Sequence, residues 1–229
     1  MARKNTAAPA TPAVETLELH APHVKYATVS IVGDNDLILN RMNARAERVL
    51  IRQREDKAKL NEVPNIWEDI ITAIHWRDGI PVEDTYRDCS EELLRRMLIE
   101  NAPCISAFGL KESWKQAVTR NEIDKFSVKF AAAVNVLGHG DLVPIKFAAH
   151  YVDKKLMSPK KGAPVLCHMN RFSGWSADID ISYMDSVYSL EQIVNIINLS
   201  GFGIGIGSGR KTYGKYHVIQ VTPTGGFNG

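Results

Sequence analysis

The chain has 229 residues, 45% of them hydrophobic, enough to bury one substantial core or one core with an inserted lobe. Its 28 basic and 26 acidic side chains leave a formal charge of only +2, so any basic surface is local and bulk electrostatics selects no partner. Cys89, Cys104 and Cys167 are widely spaced with no CxxC pair, which argues against a disulfide framework or a zinc knuckle. No apolar stretch approaches the roughly 18 residues of a membrane span, so a cytoplasmic, membrane-free protein is expected.

Residues 1–22, rich in Ala, Pro and Thr, read as a flexible N-terminal arm preceding a single domain over 23–229. "VKYATVSIVG" (24–33) alternates Val24, Tyr26, Thr28 and Ser30 against Lys25, Ala27, Val29 and Ile31, which predicts a strand. After the turn "GDND", the charged run 37–60 lacks glycine and proline and predicts a long helix. On such a helix Arg41, Arg45, Arg48 and Arg52 share one face, a stripe that reads either as a solvated surface or as a track for phosphates.

The segment 61–123 is expected to form an inserted helical lobe. "NIWEDIITAIHWRDG" and "DCSEELLRRMLIENA" carry helical periodicity, Ser90 marks a helix start, and Trp67, Ile70, Ile71 and Ile74 read as core. "KFSVKFAAAVNVLG" (125–138) and "LVPIKFAAHYVDKKLM" (142–157) read as a hairpin joined by "GHGD". Residues 157–174 then read as an irregular loop bearing Lys160, Lys161 and Arg171, either solvated or part of a basic path.

In "WSADIDISY", Trp175, Ala177, Ile179, Ile181 and Tyr183 alternate with polar residues, the pattern of a half-buried antiparallel strand. "SLEQIVNIINLSG" predicts a helix with a Ser189/Gln192 capping box, a stripe of Leu190, Ile193, Val194 and Ile197, and Gly201 just past its end. "KYHVIQV" (215–221) predicts a final strand. Strand, helix, glycine loop and strand in that order make half of a ferredoxin-like unit.

Six glycines fall among the fifteen residues 201–215, interleaved with Arg210, Lys211, Tyr213 and Lys215. A dinucleotide fingerprint is excluded, because the glycines follow a helix and the third one is missing. "GRKTYGK" (209–215) matches the spacing of a phosphate-binding P-loop, but Tyr216 replaces the metal-binding hydroxyl and a strand follows instead of a helix. No nucleophile elbow or cysteine–histidine pair is visible. Two readings stay open. "GFGIGIG" is an extended segment packing Phe202, Ile204 and Ile206 inward, or a bare surface whose amides, with nearby cations and the rings of Tyr213 and Tyr216, hold a single-stranded nucleic acid.

"GFGIGIGSGRKTYGKYHV", behind a helix and before a last strand, resembles the signature loop of the RAMP superfamily, the repeat-associated RNA-binding proteins of CRISPR systems. "VSIVGDNDLILNRMNARAERV" is similar to the start of the backbone subunits that polymerise along guide RNA in those systems, and the "SLEQIVNIINLSGFGIGIG" arrangement also resembles a set of bacteriophage proteins. The resemblance spans about 24–55 and 140–221. It implies an α+β, RRM-related ferredoxin-like core with an antiparallel sheet, RNA contacts from Gly205, Gly207, Gly209, Arg210 and Lys211, and further contacts from Arg41 and Arg45. It also implies a homo-oligomer in a bacterial host cell whose arm reaches an adjacent copy.

Processing enzymes of this superfamily usually rely on a histidine with tyrosine or lysine partners, and no histidine is evidently placed with the glycine loop. The expected function is therefore binding of single-stranded nucleic acid, RNA in preference to DNA, without cleavage and without a cofactor. The alternatives are a metal-independent endoribonuclease using His217, His168 or His150, and a phage assembly or DNA-annealing protein.

Overall fold

A computed structural model describes residues 23–55, 65–80, 88–125, 127–157 and 165–225. In chain order the elements are β1 (Val24–Gly33), β2 (Leu37–Leu39), α1 (Ala44–Arg54), α2 (Ile66–Thr72), β3 (His75–Trp76), α3 (Glu91–Glu100), β4 (Pro103–Ser106) and α4 (Ala107–Arg120). There follow α5 (Ser127–Ala133), β5 (Val134–Leu137), β6 (Leu142–Pro144), β7 (Ala149–Met157), β8 (Val165–Ser173), β9 (Ser176–Met184), α6 (Leu190–Leu199) and β10 (Tyr216–Thr224). The fold is mixed, with helices packed on antiparallel sheets. The expected N-terminal arm lies outside the described residues, as do Lys160 and Lys161.

The main sheet has the order β10-β1-β9-β5, antiparallel throughout. Its alternation is the one the sequence predicts: Ala27, Val29 and Ile31 of β1 and Ala177, Ile179 and Ile181 of β9 are buried. Each of these valine and isoleucine side chains, fully removed from water, contributes about 1.5–3 kcal/mol. The polar residues between them point to the other face, where Thr28 donates to Asp180 at 2.5 Å and Ser30 to Asp178 at 2.6 Å. Helices α4 and α6 contact each other and join the same hydrophobic core as the apolar face.

Helix α4 is amphipathic: Leu110, Trp114, Ala117 and Val118 are buried at helical spacing. Part of the segment expected to be an inserted lobe therefore belongs to the main core. Helix α6 begins with the predicted capping box, Ser189 accepting from the Gln192 amide at 3.2 Å and the Gln192 side chain accepting from the Ser189 amide at 2.9 Å. Ile193, Ile196 and Ile197 are buried, whereas Val194 is only half-buried.

Three expectations need correction. Residues 37–60 do not form one helix, because Leu37, Ile38 and Leu39 pair with Phe172, Arg171 and Asn170 of β8 and are all buried. Pairing with a distant strand overrides local helix propensity, and α1 starts only after Asn43, whose side chain accepts from the Ala46 amide.

Nor do 125–138 and 142–157 form a hairpin with each other. Residues 127–133 are helical with Phe130 buried, β5 pairs with β9, β6 pairs with β4, and β7 is a separate strand. The stretch expected as an irregular loop, 157–174, contains β8, paired with β7 from Ala149↔Ser173 to Met157↔Val165.

Two smaller sheets complete the fold, β2-β8-β7 and β3-β4-β6. Gly33 ends β1 beneath Trp175, and a Cβ there would meet the indole nitrogen at 2.1 Å. The same indole nitrogen donates to the Asn35 carbonyl at 2.7 Å, which fixes the turn leading to β2. Among the described residues no helix is long and apolar enough to cross a membrane.

Candidate nucleic-acid interface

Helix α6 does not stop at Gly201. The chain winds on through a π-helical turn, Ser200–Ile204, and leaves it at Gly205, where φ is 76°. Gly201 is there for close approach, since a Cβ on it would lie 2.0 Å from the Tyr216 carbonyl oxygen. Ile204 and Ile206 pack inward as one reading expects, but Phe202 is 84% exposed, because the π turn rotates it away from its neighbours.

Beyond Gly205 the loop is clamped to the segment linking β1 to α1. The Ser208 amide donates to the Ile38 carbonyl at 2.8 Å and the Gly214 amide to the Asp36 carbonyl at 2.9 Å. Asn35 bridges the loop's end, its Nδ2 donating to the Thr212 carbonyl and its Oδ1 accepting from the Lys215 amide. Gly207, with φ of 74°, lies against β2 so closely that a Cβ would be 2.5 Å from the Ile38 carbonyl oxygen. Among the described residues, the amides of Gly207, Gly209, Arg210 and Lys211 have no hydrogen-bond acceptor.

The beginning of the loop is held from beneath. Ser113 donates to the Gly205 carbonyl at 2.8 Å and lies 2.7 Å from the Ser200 hydroxyl, and the Tyr216 hydroxyl is 3.3 Å from Ser200. Gly205 is therefore interior, and the exposed part of the loop starts at Gly207.

Beside that surface is a cleft of about 420 Å³. Its walls are the loop from Ile206 to Arg210, the β2–α1 connector with Arg41, and the first turns of α4 with Phe108, Glu112 and Gln116. His75 and Cys104 line it as well. The Arg41 guanidinium is 3.4 Å from His75 Nδ1. Burial, and then the Arg41 charge, push the His75 pKa below its ordinary value, which favours the neutral ring. Phe108 is 71% exposed at the rim.

The predicted cations divide into two groups. Arg41 and Arg210 line the cleft, Lys211 is exposed on the same loop, and Lys215 donates to the Gly203 carbonyl at 3.1 Å. Burial, and then the charges of Arg120 and Arg210, lower the Lys215 pKa. Of the other described cations, Arg45, Arg48 and Arg171 are engaged with carboxylates elsewhere, and Arg52 stands apart on α1.

Arg45 grips Asp69 of α2 with two nitrogens, and Arg48 lies 2.7 Å from Glu68 Oε1, so these two tie α1 to α2 rather than standing in a free stripe. Arg41 precedes α1, and Arg52 is exposed in its last turn. Arg171 lies in β8, where its Nε bonds Asp36 at 2.5 Å and its Nη1 bonds Asp153 at 3.3 Å. Its guanidinium sits 5.6 Å from the centre of the Tyr213 ring, so one face of that ring is already occupied.

Of the histidines singled out by sequence, His150 bonds the buried Asn170 side chain at 2.9 Å and His217 lies 2.5 Å from Asp34 Oδ1. His168 is half-buried in β8. Sequence reasoning missed His75, Phe108, Glu112 and Gln116. The last three recur at i, i+4 and i+8, and a phenylalanine on the polar face of an amphipathic helix is the signal that points to them. Nothing local marks His75, which reaches the cleft through the short β3–β4 pairing.

No protein-family profile and no curated protein sequence matches the chain. Among solved structures, a chain of the type III-B Cmr-beta complex bound to cognate target RNA is similar at 10% identity and a TM-score of 0.45. The match covers 87% of the present chain and 60% of that one, so the chain spans about three fifths of that chain's length. Cmr6 from Pyrococcus furiosus is similar at 8% identity and a TM-score of 0.38, over 86% of this chain and 99% of that one.

Proposed function

We propose that this protein binds single-stranded nucleic acid, RNA in preference to DNA, at the cleft between the glycine loop and the start of α4, and that it holds the strand without cutting it. One observation carries the reading: Gly207 and Arg210, whose amides have no acceptor among the described residues, line one concave surface together with Arg41, and Gly209 and Lys211 continue the same exposed loop. Unpaired N–H groups on a bend of positive-φ glycines form a cradle for an anion, and the arginines supply the charge. The exposed rings of Phe108 and Phe202 offer stacking faces to bases. RNA is favoured through the RAMP-like loop sequence.

The four antiparallel strands β10-β1-β9-β5, with α4 before β5 and α6 before β10, are the arrangement a ferredoxin-like unit requires, which supports that reading of the core. The sheet face away from the helices presents Asp178 and Asp180 at its centre, so phosphates are better accommodated on the loop side. The proposal includes self-association along the strand, as the resemblance implies for a CRISPR-type or phage-encoded member.

Anisotropy titrations with labelled single-stranded RNA and DNA at several salt concentrations test binding, and light scattering with and without RNA tests assembly. A salt-dependent RNA affinity is expected, and its absence from every strand would dispose of the proposal. A second reading, metal-independent cleavage at the same cleft, is favoured only by His75 next to Arg41, with its pKa pushed down. Incubating RNA with the protein in EDTA separates the two, because binding alone returns intact strands.

A further inference from the structure

Glu112 is out of place in a cleft that only holds phosphates. Its carboxylate lines the same surface as Arg41 and Arg210, yet it pairs with neither; its ion-pair partner is Lys115, at 3.0 Å on its own helix. In a site devoted to a polyanion, an acidic side chain weakens binding. Its position relative to two other residues suggests what it does instead.

Phe108, Glu112 and Gln116 stand at i, i+4 and i+8 of α4 and all line the cleft, opposite the loop wall of Gly207, Ser208 and Arg210. One wall is thus cationic and rich in amides. The facing wall has an aromatic ring, a carboxylate and a carboxamide in a row, spaced by about 6 Å per four residues along the helix axis. We infer that the cleft reads one nucleotide: its phosphate lies on the loop wall, and its base, turned out of the strand, is a guanine stacked on Phe108 with its edge hydrogen-bonded to Glu112 and Gln116. This inference rests on the proposed nucleic-acid binding.

The choice of guanine follows from donor and acceptor counting. An ionised carboxylate only accepts, and its two oxygens want two adjacent donors. On the edges that single-stranded bases present, guanine alone offers such a pair, N1–H beside the exocyclic N2 amino group. Adenine and cytosine set one amino group beside an acceptor, and uracil has one N–H between two carbonyls. Gln116 can donate its amide N–H to guanine O6, which adjoins N1. Lys115 keeps Glu112 tethered near the helix surface from the side. About one turn separates the stacking ring from the carboxylate, comparable with the reach from a purine's centre to an acceptor on its edge.

The test uses the full chain and labelled oligouridine strands that carry one central guanosine, inosine or adenosine. The guanosine strand is expected to bind roughly tenfold more tightly than the adenosine strand, the range of one good bidentate contact. Inosine, which lacks the N2 amino group, falls between them. Glu112→Gln is expected to bring the guanosine-to-adenosine ratio close to one, and Gln116→Leu to reduce it; both residues lie on the helix surface, and thermal melting confirms folding. Equal affinity of the wild-type protein for guanosine and adenosine strands, or an unchanged ratio in Glu112→Gln, overturns the inference while leaving strand binding in place. Failure to bind any of these strands overturns the proposed function itself.

Discussion

The indole Nε1 of Trp114 donates to the Tyr216 hydroxyl at 3.0 Å, in a pocket where both residues are buried, and that hydroxyl lies 3.3 Å from Ser200. Through this contact the middle of α4, the start of the π turn and the first residue of the last strand share one polar network beneath the glycine loop. The loop therefore depends on residues far from it in sequence and out of reach of any ligand.

Tyr216→Phe removes the acceptor and leaves the buried indole N–H unpaired. A loss of about 1–3 kcal/mol is expected in urea unfolding. Burial pushes the Tyr216 pKa up to about 12, outweighing the hydrogen bonds from Ser200, Trp114 and Ser113 that favour ionisation. Above the unfolded value near 10, the unfolded chain releases a proton that the folded one retains, so stability contributed by this group is present below pH 10 and is lost as pH rises towards 12. The variant is expected to unfold with a shallower alkaline decline than the parent.

Arg210→Glu combined with Lys211→Glu places two negative charges on the exposed part of the loop. Nucleic-acid affinity is expected to fall, and the slope of log affinity against log salt to drop by about 1.4, since each phosphate contact on a single strand contributes about 0.7. Anisotropy titrations across a salt series give both quantities. Unchanged affinity and slope would remove the loop from the interface.

Arg48→Met should act on stability and not on binding. It strands the Glu68 carboxylate, whose side chain is only 6% exposed, and a cost of about 2–3 kcal/mol is expected in chemical unfolding. The salt slope for RNA should stay at the parent value, which separates the α1–α2 tie from the cations proposed to bind phosphate.

Gly207→Ala tests the loop's backbone. The left-handed φ and the 2.5 Å approach of an added Cβ to the Ile38 carbonyl both oppose the substitution. A destabilisation above roughly 1 kcal/mol is expected. RNA affinity should decrease as well, because the strain displaces the amides of Gly209 and Arg210. Thermal melting and titration on the same preparation record the two effects.

Elements with local signals could be read from the sequence. The Ser189/Gln192 capping box and the alternation in 176–184 depend on neighbours within a few residues, and both stand where the pattern puts them. Leu37–Leu39 looked helical because only its pairing with a strand 130 residues later makes it extended. Phe130 to Ala133 looked extended because a short apolar run fits either period.

The glycine loop and Arg210 stand out by composition as the proposed site. That Arg45, Arg48 and Arg171 are committed to Asp69, Glu68, Asp36 and Asp153 was not, since charge spacing along a chain says nothing about carboxylates brought in from other elements. The cleft's remaining wall came from α4, where Phe108 broke the helix's own pattern.

The stitching of the glycine loop to residues 35–40 has a kinetic and an entropic consequence. Glycine-rich segments are ordinarily among the most expensive to immobilise, yet here Asn35, Asp36 and Ile38 have already fixed the backbone before any ligand arrives. A strand that settles on it meets a finished mould, and little of the gain from contact is spent on freezing the receptor. The amides of Ser208 and Gly214 should accordingly exchange slowly with solvent deuterium in the free protein, and binding should change their protection little.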